Sequence, residues 1–238
     1  MFSRTVTDYW LSSAPTEAAT APGRWQVITD GALPAGFLLT TLETPAGDRF
    51  LTLTSTEARC LGLTGASTVD DSALRSALQA NGVTLHGADY LFYLPVDEQR
   101  VLRAETVLGE TRQLTSADAE AFHQFAGAAP PEDMDDAFVE LDHWLVFGSF
   151  ASGRLVAAAS MFHWRGTPLA DLGVITLPEF RRHGLGKRTV RAISSRALAD
   201  GYEPQYRCQL SNTASAALAR AAGYAQFGTW DVIESDAC

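Results

Sequence analysis

The residues with the clearest chemical potential lie at 176–188, where two glycines follow a pair of arginines. The pattern is Arg181, two residues, Gly184, one residue and Gly186, between an apolar stretch and a long helical stretch. Glycine adopts backbone angles that other residues avoid, and it leaves no Cβ between the main chain and a ligand. Several main-chain N–H groups can therefore converge on an anion, and the first turn of a helix adds unpaired donors. The spacing predicts a phosphate-binding turn.

The charge of this region points to the same kind of ligand. Residues 181–196 include six cations and no Asp or Glu, whereas the whole chain of 238 residues has a formal net charge of −10. The cations are Arg181, Arg182, Lys187, Arg188, Arg191 and Arg196. A local cationic surface on an acidic protein indicates a polyanionic ligand. Ordinary surface charges at a helix end are the alternative for Arg181 and Lys187.

Two other phosphate-binding motifs are excluded by the same residues. A Walker loop requires glycine where the chain has Arg181 and Ser or Thr where it has Arg188. A dinucleotide-binding fingerprint requires three glycines at fixed spacing, which this segment lacks. The five histidines stand at 86, 123, 143, 163 and 183, without metal-ligand spacing, so no metal is predicted.

A second pattern occupies residues 212–224: Asn212, two residues, Ser215, two residues, Leu218, four residues, Gly223 and Tyr224. Following the glycine turn in this order, it resembles the closing element of the GNAT acyltransferase superfamily, and the resemblance covers residues ~105–238. The residues at 173–181 and Leu218-Ala219 are similar to those of a bacterial branch that includes antibiotic-resistance-type acetyltransferases. The resemblance implies an α/β (α+β) GNAT fold, a mixed central sheet with a V-shaped split between two strands.

The resemblance also implies where acetyl-CoA binds. The coenzyme would lie between strands at 169–177 and 205–210, its pantetheine near the main chain of Val174 and Thr176 and its diphosphate on the amides from about Arg182 to Lys187. The residues implied in cofactor binding are Val174, Ile175, Thr176, Arg181, Arg182, His183, Gly184, Leu185, Gly186, Lys187, Asn212 and Ser215. Asn212 is also a good helix N-cap in any fold, which is its alternative role.

The implied reaction is N-acetylation, in which an amine of a small molecule or peptide attacks the thioester directly in a ternary complex. An amine with a lysine-like pKa of ~10.4 is mostly protonated at neutral pH, so a base or a water chain must remove a proton. Asp171 is the first candidate base, and a solvated strand-end carboxylate is the alternative. Glu140, Asp142 and His163 are second candidates, each with a surface or satisfied polar role as the alternative.

The group that protonates the departing thiolate differs from that of many relatives. They carry a Tyr within the last helix, where this chain has Ala219. Tyr224, Tyr206 or water are the substitutes, and a core aromatic is the alternative role of Tyr224. A thiolate leaves tolerably without full protonation, since a model thiol has a pKa near ~8.5.

Three hypotheses about function remain open. The first is the acetyl-CoA-dependent N-acetyltransferase, and the second is a catalytically degenerate acyl-CoA-binding regulator, favoured by Ala219. The third assigns residues 1–105 to a separate binding or dimerisation module, with a homodimer as one outcome. The acidic stretch 132–142 suggests a cationic acceptor such as an aminoglycoside, a polyamine or lysine, although a solvated charge run is the plain alternative.

Composition narrows the class of protein. The chain has 46% hydrophobic and 19% charged residues, which is typical of a globular protein. Its acidic balance argues against nucleic acid or an anionic membrane as the main partner. Neither a membrane-spanning run nor a signal peptide is visible, and the three cysteines show no disulfide or zinc pattern. These features predict a cytoplasmic protein.

The elements that must position these residues divide into two predicted domains. Strands at 25–29, 37–42, 49–54 and 88–94 and helices at 55–63 and 70–80, the latter capped by Asp70 or Asp71, predict a smaller α/β domain of unknown role at 1–105. Residues 96–109 show little periodicity, so the boundary is placed near 105. For the GNAT domain at 106–238 we expect strands at 110–114, 144–150, 154–162, 169–177, 205–210 and within 227–232, and helices from Ser116 through Phe125, at 184–200 and at 212–222. Residues 130–142 are expected to form a loop or short helix.

Overall fold

Strands and helices alternate along the chain, and the computed structural model describes them for residues 1–12, 23–29, 33, 36–105 and 109–234. The polar and small residues at 12–23 predict a loosely held entry segment, most of which lies outside these ranges. The elements in chain order are α1 (Arg4–Leu11), β1 (Arg24–Thr29), β2 (Phe37–Glu43), β3 (Arg49–Leu53), α2 (Ser55–Cys60), β4 (Thr68–Asp70), α3 (Asp71–Ala80), β5 (Asp89–Tyr93), α4 (Val96–Ala104), β6 (Thr111–Gln113), α5 (Ala119–Ala128), α6 (Pro131–Ala137), β7 (Leu145–Ala151), β8 (Arg154–His163), β9 (Leu169–Thr176), α7 (Leu185–Ala199), β10 (Glu203–Gln209), α8 (Thr213–Ala221) and β11 (Ala225–Glu234).

These elements pack into two units. Unit 1 comprises residues 1–6, 92–207 and 213–225, and unit 2 comprises 7–91, 208–212 and 226–238. Segments from both sides of residue 105 therefore contribute to unit 1. The domain boundary near residue 105 stays a prediction, because the units are defined by packing and not by independent folding.

Unit 2 is built on a mixed sheet in which β4, β1, β3, β2 and β11 lie side by side. β1 pairs with β3 in parallel, and the other neighbours pair antiparallel. Its core contains Leu39, Leu51 and Leu53 from the sheet and Leu74 and Leu78 from α3. As predicted, α3 begins at an Asp cap, since the Asp70 carboxylate accepts the Ala73 N–H at 2.8 Å.

Unit 1 contains a second mixed arrangement, with β10, β9, β8, β7 and β6 in that order. Ser152-Gly153 between two expected apolar strands predicts a hairpin. The hairpin is confirmed, because both residues have positive φ, 50° and 79°, between antiparallel β7 and β8. β9 pairs with β8 along its length and with β10, in parallel, only from Leu169 to Leu172. The predicted α/β fold with a mixed sheet is confirmed, and the end of this pairing marks the split between two strands.

The helices of unit 1 cover this sheet with apolar faces. In α7 the buried residues Val190, Ile193 and Ala197 recur at helical spacing, and the helix packs on β7 and β8. Phe125 of α5 packs in a core cluster with Ala158 of β8 and Ile175 of β9. Helices α5 and α7 therefore pack on the strands from which the glycine turn extends.

Some elements depart from the sequence-based expectations. The segment after Pro95 forms α4, whose inward face uses Gln99 beside Leu102, and the Gln99 amide donates to the Leu94 carbonyl at 3.1 Å. A polar residue on the buried face removes the apolar period that predicts a helix. The cap before α5 is Thr115 and not Ser116, because Thr115 forms a capping box with Asp118. The helix α1 and the short strand β4 were not predicted.

Two further features bear on the predicted class of protein. No helix within the described ranges is long and apolar enough to cross a membrane. Cys60 and Cys208 are not joined in a disulfide, and Cys238 lies outside the described residues.

Candidate active site

The glycine turn leads from the end of β9 into α7. Arg182 and Gly184 both have positive φ, 65° and 76°. Gly184 is the N-cap of α7 and supplies no side-chain cap, so no side chain occupies the amide groups of the first turn. The first intrahelical bond of this end runs from the Arg188 N–H to the Gly184 carbonyl at 3.0 Å. The N–H groups of Leu185, Gly186 and Lys187 are therefore available to an anion.

The two glycines of the turn are required for different reasons. Gly184 has open space around the position of a Cβ, so its requirement is the left-handed backbone conformation. Gly186 is buried, and a Cβ there would stand 2.8 Å from Thr176 Oγ1 and 3.4 Å from a methyl of Leu218. The absence of a side chain at 186 lets the start of α7 lie directly against the end of β9.

The six cations of the region divide into two groups of three. Arg181 pairs with Asp133, Arg191 with Glu105 and Arg196 with Asp200. Arg182, Lys187 and Arg188 are exposed and form no ion pair within the described part of the chain. The absence of Asp and Glu from residues 181–196 therefore does not leave all six cations without ion pairs, because the three carboxylates come from outside that segment. The remaining three still give the turn a positive surface.

The Arg181 side chain is engaged within the protein. Its Nε donates to the Thr176 carbonyl at 3.0 Å, and its terminal nitrogen pairs with Asp133 of α6. Arg181 thereby fastens α6 to the end of β9. In this arrangement the guanidinium supports the turn, and the donors that face outward come from the main chain and from Arg182 and Lys187.

The β9 residues expected to contact the coenzyme lie just beyond the pairing with β10. Val174, Ile175 and Thr176 pair with Ala159, Ala158 and Ala157 of β8. Ile175 is 3% exposed, so its side chain belongs to the core and only its main chain could contact a ligand. Main-chain groups on the β10 side of this segment suit an extended chain with amide groups.

Two expected cofactor residues lie at the start of α8. The Ser215 hydroxyl is 2.9 Å from the Tyr206 hydroxyl. Asn212 is exposed, belongs to unit 2 and donates its main-chain N–H to the Gln209 carbonyl at 2.9 Å. His183 and Leu185 lie within the turn, His183 exposed and Leu185 half-buried.

Asp171, the first candidate base, lies in a buried polar cluster. It is 5% exposed, which excludes the solvated strand-end alternative. The Arg207 guanidinium donates to both carboxylate oxygens, the shortest contact being 2.7 Å, and the Gln205 amide donates at 2.8 Å. Tyr93 in turn donates its hydroxyl to Gln205, and Arg207 lies 4.6 Å over the Trp164 ring. The carboxylate is thus already occupied by donors of the protein.

Glu140 lies beside a histidine that the sequence did not single out. Its carboxylate is 3.5 Å from His143 Nε2, and His143 Nδ1 is 2.8 Å from the hydroxyl of Ser160 on β8. Asp142 is exposed nearby in the chain. The sequence signal for this group is weak, because it joins residues from two segments with no common spacing.

His163 lies in a different environment. It is exposed and stacks with Trp144 and Tyr202, whose ring centroids are each 4.5 Å from its own. Trp144 and Tyr202 are also 4.7 Å apart, so the three rings form one aromatic group. This placement supports the satisfied-residue alternative for His163.

Tyr224 lies in the core, next to the position where relatives carry a tyrosine. Burial raises the pKa of its phenol, and its hydroxyl is 2.6 Å from the Ser194 hydroxyl of α7. Ser194 donates its own proton to the Val190 carbonyl, so Tyr224 is the donor to Ser194. Ala219 is completely buried. These contacts support the core-aromatic alternative for Tyr224.

Comparison with known proteins finds one family model that matches the part of the chain containing this site. Residues 112–224 match the model of the Acetyltransferase (GNAT) family, whereas no curated protein matches the sequence. Similar solved structures include an acetyltransferase of the GNAT family from Colwellia psychrerythraea, with 19% identity over 68% of this chain and 61% of that one and a TM-score of 0.49. The chain therefore spans less than two thirds of that relative.

Two further solved structures are similar over about half of this chain. One is an aminoglycoside N-acetyltransferase in complex with CoA, with 22% identity over 49% of this chain and 92% of that one and a TM-score of 0.40. The other is the ribosomal-protein-S18-alanine N-acetyltransferase from Escherichia coli, with 17% identity over 51% of this chain and 89% of that one and a TM-score of 0.40.

Proposed function

Because residues 112–224 of this chain belong to the GNAT family of acetyltransferases, we propose that the protein is an acetyl-CoA-dependent N-acetyltransferase. The acceptor is a primary amine of a small molecule or peptide, which attacks the thioester directly in a ternary complex. The family assignment supports acetyl transfer. The choice of acetyl-CoA as donor and of an amine as acceptor is the proposal.

One observation carries this function: the first turn of α7 presents bare amide groups beside the unpaired end of β9. Gly184 caps the helix without a side chain, and Gly186 lets the helix start lie against Thr176. A diphosphate needs converging N–H donors and positive charge, which these amides together with Arg182 and Lys187 supply. The residues present therefore fit coenzyme A.

The main chain of β9 would bind the pantetheine and stabilise the oxyanion. The end of the pairing at Leu172 leaves the segment from Gly173 to Thr176 paired on one side by β8. Acetyl-CoA, when bound, supplies an activated acyl group as a thioester. Main-chain groups near Val174 would hold the pantetheine, and an N–H of this segment would stabilise the oxyanion that develops during attack.

We assign the acceptor side to α6 and the segment that joins it to β7. Five carboxylates are exposed there: Glu132, Asp135, Asp136, Glu140 and Asp142. Their negative charge favours a cationic acceptor, since clustered carboxylates raise the local concentration of amines. Asp133 does not belong to this set because it pairs with Arg181.

The acyl-CoA-binding regulator remains the second candidate, and Ala219 favours it. The side chain that donates a proton in many relatives is replaced by a buried methyl group. A protein that binds the coenzyme without turnover would keep the glycine turn and lose this donor. The role of residues 1–105, a homodimer and the cytoplasmic location stay predictions.

The test of this function is acetyl transfer to a panel of amines. The purified protein would be incubated with acetyl-CoA and a polyamine, an aminoglycoside or a lysine peptide, with thiol release followed optically and the amine analysed by mass spectrometry. We expect thiol release that depends on one amine class and an amine heavier by one acetyl group. A reaction without amine controls for hydrolysis. Coenzyme binding without any acetylated product would favour the regulator, and neither binding nor product would contradict both.

A further inference from the structure

His143 lies between two polar side chains in the segment that joins α6 to β7. Its Nδ1 is 2.8 Å from the Ser160 hydroxyl, and its Nε2 is 3.5 Å from a carboxylate oxygen of Glu140. The His143 side chain is 10% exposed, against 49% for Glu140. One ring nitrogen is therefore fixed by a buried hydroxyl, and the other faces a carboxylate that reaches solvent.

The hydrogen bonds of Ser160 assign the protons of this group. Its Oγ accepts the Glu140 main-chain N–H at 3.3 Å and donates to the Phe138 carbonyl at 3.5 Å. A hydroxyl has one proton and two lone pairs, so its second lone pair can accept the Nδ1–H of His143. In this tautomer of the neutral imidazole the lone pair is on Nε2 and faces the Glu140 carboxylate. The proposal below uses this tautomer, in which the carboxylate and Nε2 are both acceptors.

A cationic N–H donor fits the space between these two acceptors. A protonated primary amine offers three donors, enough to serve the carboxylate and the imidazole together. Aromatic rings flank the histidine, with the centroids of Phe138 and Phe162 at 4.9 Å and 5.3 Å from its own. Phe138 is 51% exposed. Rings beside a carboxylate favour an alkyl ammonium, which interacts with both.

The group lies beside β9, the strand that the proposed function assigns to the acyl donor. Ser160 pairs with Gly173 in the β8–β9 ladder, and Gly173 directly precedes Val174. Paired residues of antiparallel strands point to the same face. A Cβ on Gly173 would overlap the Ala137 carbonyl, so the α6–β7 segment lies directly on β9 at this point. The histidine is therefore close to the position of the thioester.

We propose that His143 is the general base of the transfer, that Glu140 binds the acceptor as an ammonium, and that Ser160 is a positioning residue. This inference rests on the proposed function. Nε2 takes one proton from the ammonium, and the freed lone pair of the amine forms a C–N bond to the acetyl carbonyl carbon. The C–S bond breaks, and its electron pair leaves on sulfur as the thiolate. The attacking nitrogen then carries one proton more than a neutral amide and releases this second proton to solvent. The imidazolium, facing Glu140, then releases its proton to solvent.

The test combines truncation with chemical rescue. His143→Ala removes the base, and added imidazole can occupy the space of the missing ring. We expect kcat with the best amine of the panel to fall by about 10²–10³-fold, the usual share of a general base, and imidazole to restore a part that grows with its concentration. Coenzyme A affinity should stay within about twofold, because the turn at 181–187 is untouched. His123→Ala, which removes an exposed histidine from α5, is the matched control and should leave kcat unchanged.

Two variants separate the roles of the neighbours. Glu140→Gln should raise the KM for the amine by about tenfold, the loss of roughly one ion pair, with a smaller effect on kcat. Ser160→Ala should lower kcat with little change in KM, because it frees the ring without removing the ammonium site. If His143→Ala does not fold, His143→Gln keeps the polar volume and is expected to show the same loss of kcat.

The outcomes of these experiments distinguish the role of His143 from the proposed acetyltransferase function. A wild-type enzyme that acetylates an amine while His143→Ala keeps more than half of its kcat overturns the role of His143 and leaves the acetyltransferase intact. The same holds if imidazole restores nothing in a variant that still binds coenzyme A. A wild-type protein that acetylates no amine of the panel overturns the proposed function, and the role of His143 with it.

Discussion

Gly186 lies so close to Thr176 that a Cβ at position 186 would stand 2.8 Å from Thr176 Oγ1. This contact joins the start of α7 to the end of β9. The distance between the two elements therefore sets the distance between the proposed diphosphate and pantetheine sites. Gly186→Ala should force them apart. Since overpacking costs about 1–3 kcal/mol, we expect the Kd for coenzyme A to rise by roughly tenfold or more, measured by calorimetric titration.

A second variant controls for the cause of this loss. Thr176→Ala removes Oγ1 and with it the contact, so Gly186→Ala combined with Thr176→Ala should bind coenzyme A more tightly than Gly186→Ala alone. A double variant as weak as the sum of both single variants would show that the spacing of Gly186 and Thr176 does not set the affinity.

A chain of buried hydroxyl groups fixes the first turns of α7 to the sheet. Thr111 is 2.7 Å from Ser149, Ser149 is 2.7 Å from Thr189, and Thr189 donates to the Leu185 carbonyl at 2.9 Å. Because the proton of Thr189 goes to Leu185, Ser149 donates to Thr189 and Thr111 to Ser149. Ser149→Ala leaves Thr111 without its acceptor and should lower the free energy of unfolding by about 1–3 kcal/mol. Urea unfolding measures this, and a change of only a few tenths of a kcal/mol would show that the chain contributes nothing.

Asp171 is expected to stabilise the fold through Arg207. Removing one partner of a buried ion pair costs about 3–5 kcal/mol, and the lower end applies here because the Arg207 side chain is 23% exposed. Asp171→Asn should therefore lower the free energy of unfolding by about 3 kcal/mol, and Asp171→Asn with Arg207→Gln should cost less than the sum of the single variants. If Asp171→Asn abolishes turnover while urea unfolding is unchanged, Asp171 is the base and not a structural residue.

Asp118 gives the fold a component that depends on pH. Hydrogen bonds from Arg112, opposed by burial and supported by the Thr115 N–H, lower the pKa of this carboxyl to about 2. A carboxyl with a depressed pKa in the folded state stabilises the protein above its unfolded pKa, and this stabilisation disappears as the pH falls toward the folded pKa. The difference in unfolding free energy between the wild type and Asp118→Asn should therefore be full at pH 5 and shrink between about pH 4 and about pH 2. A difference that is constant over this range would contradict the assignment.

The local elements were largely predictable from the sequence. Short β-branched, aromatic or apolar runs located the strands of both units except β4, the glycine pattern located the start of α7, and Ser152-Gly153 located the hairpin. These features are carried by neighbouring residues, so the sequence contains the whole signal. The helix α4 was missed because Gln99 replaces an apolar residue on its buried face and gains a main-chain acceptor instead.

The side-chain groups of the candidate site were less predictable because they join distant residues. Arg207 meets Asp171 across two parallel strands, and Ser160 meets His143 across a hairpin. Neither pair has a sequence separation that identifies a motif. The register of β8, β9 and β10 is needed to see that the Asp171 carboxylate already accepts hydrogen bonds from the protein. The same register is needed to see that His143 lies close to Glu140.

The most direct test of the central claim is a calorimetric comparison of coenzyme A with pantetheine, which lacks the diphosphate and the adenosine 3′-phosphate attached to it. The same comparison on Gly186→Ala, in which the start of α7 is displaced, should give a smaller difference between the two ligands. If the amides at the start of α7 hold the diphosphate, coenzyme A should bind at least about 100-fold more tightly than pantetheine, because two charge-assisted hydrogen bonds are worth about 3 kcal/mol or more. Equal affinities for the two compounds, or no binding of coenzyme A, would contradict the claim that this turn is a diphosphate site.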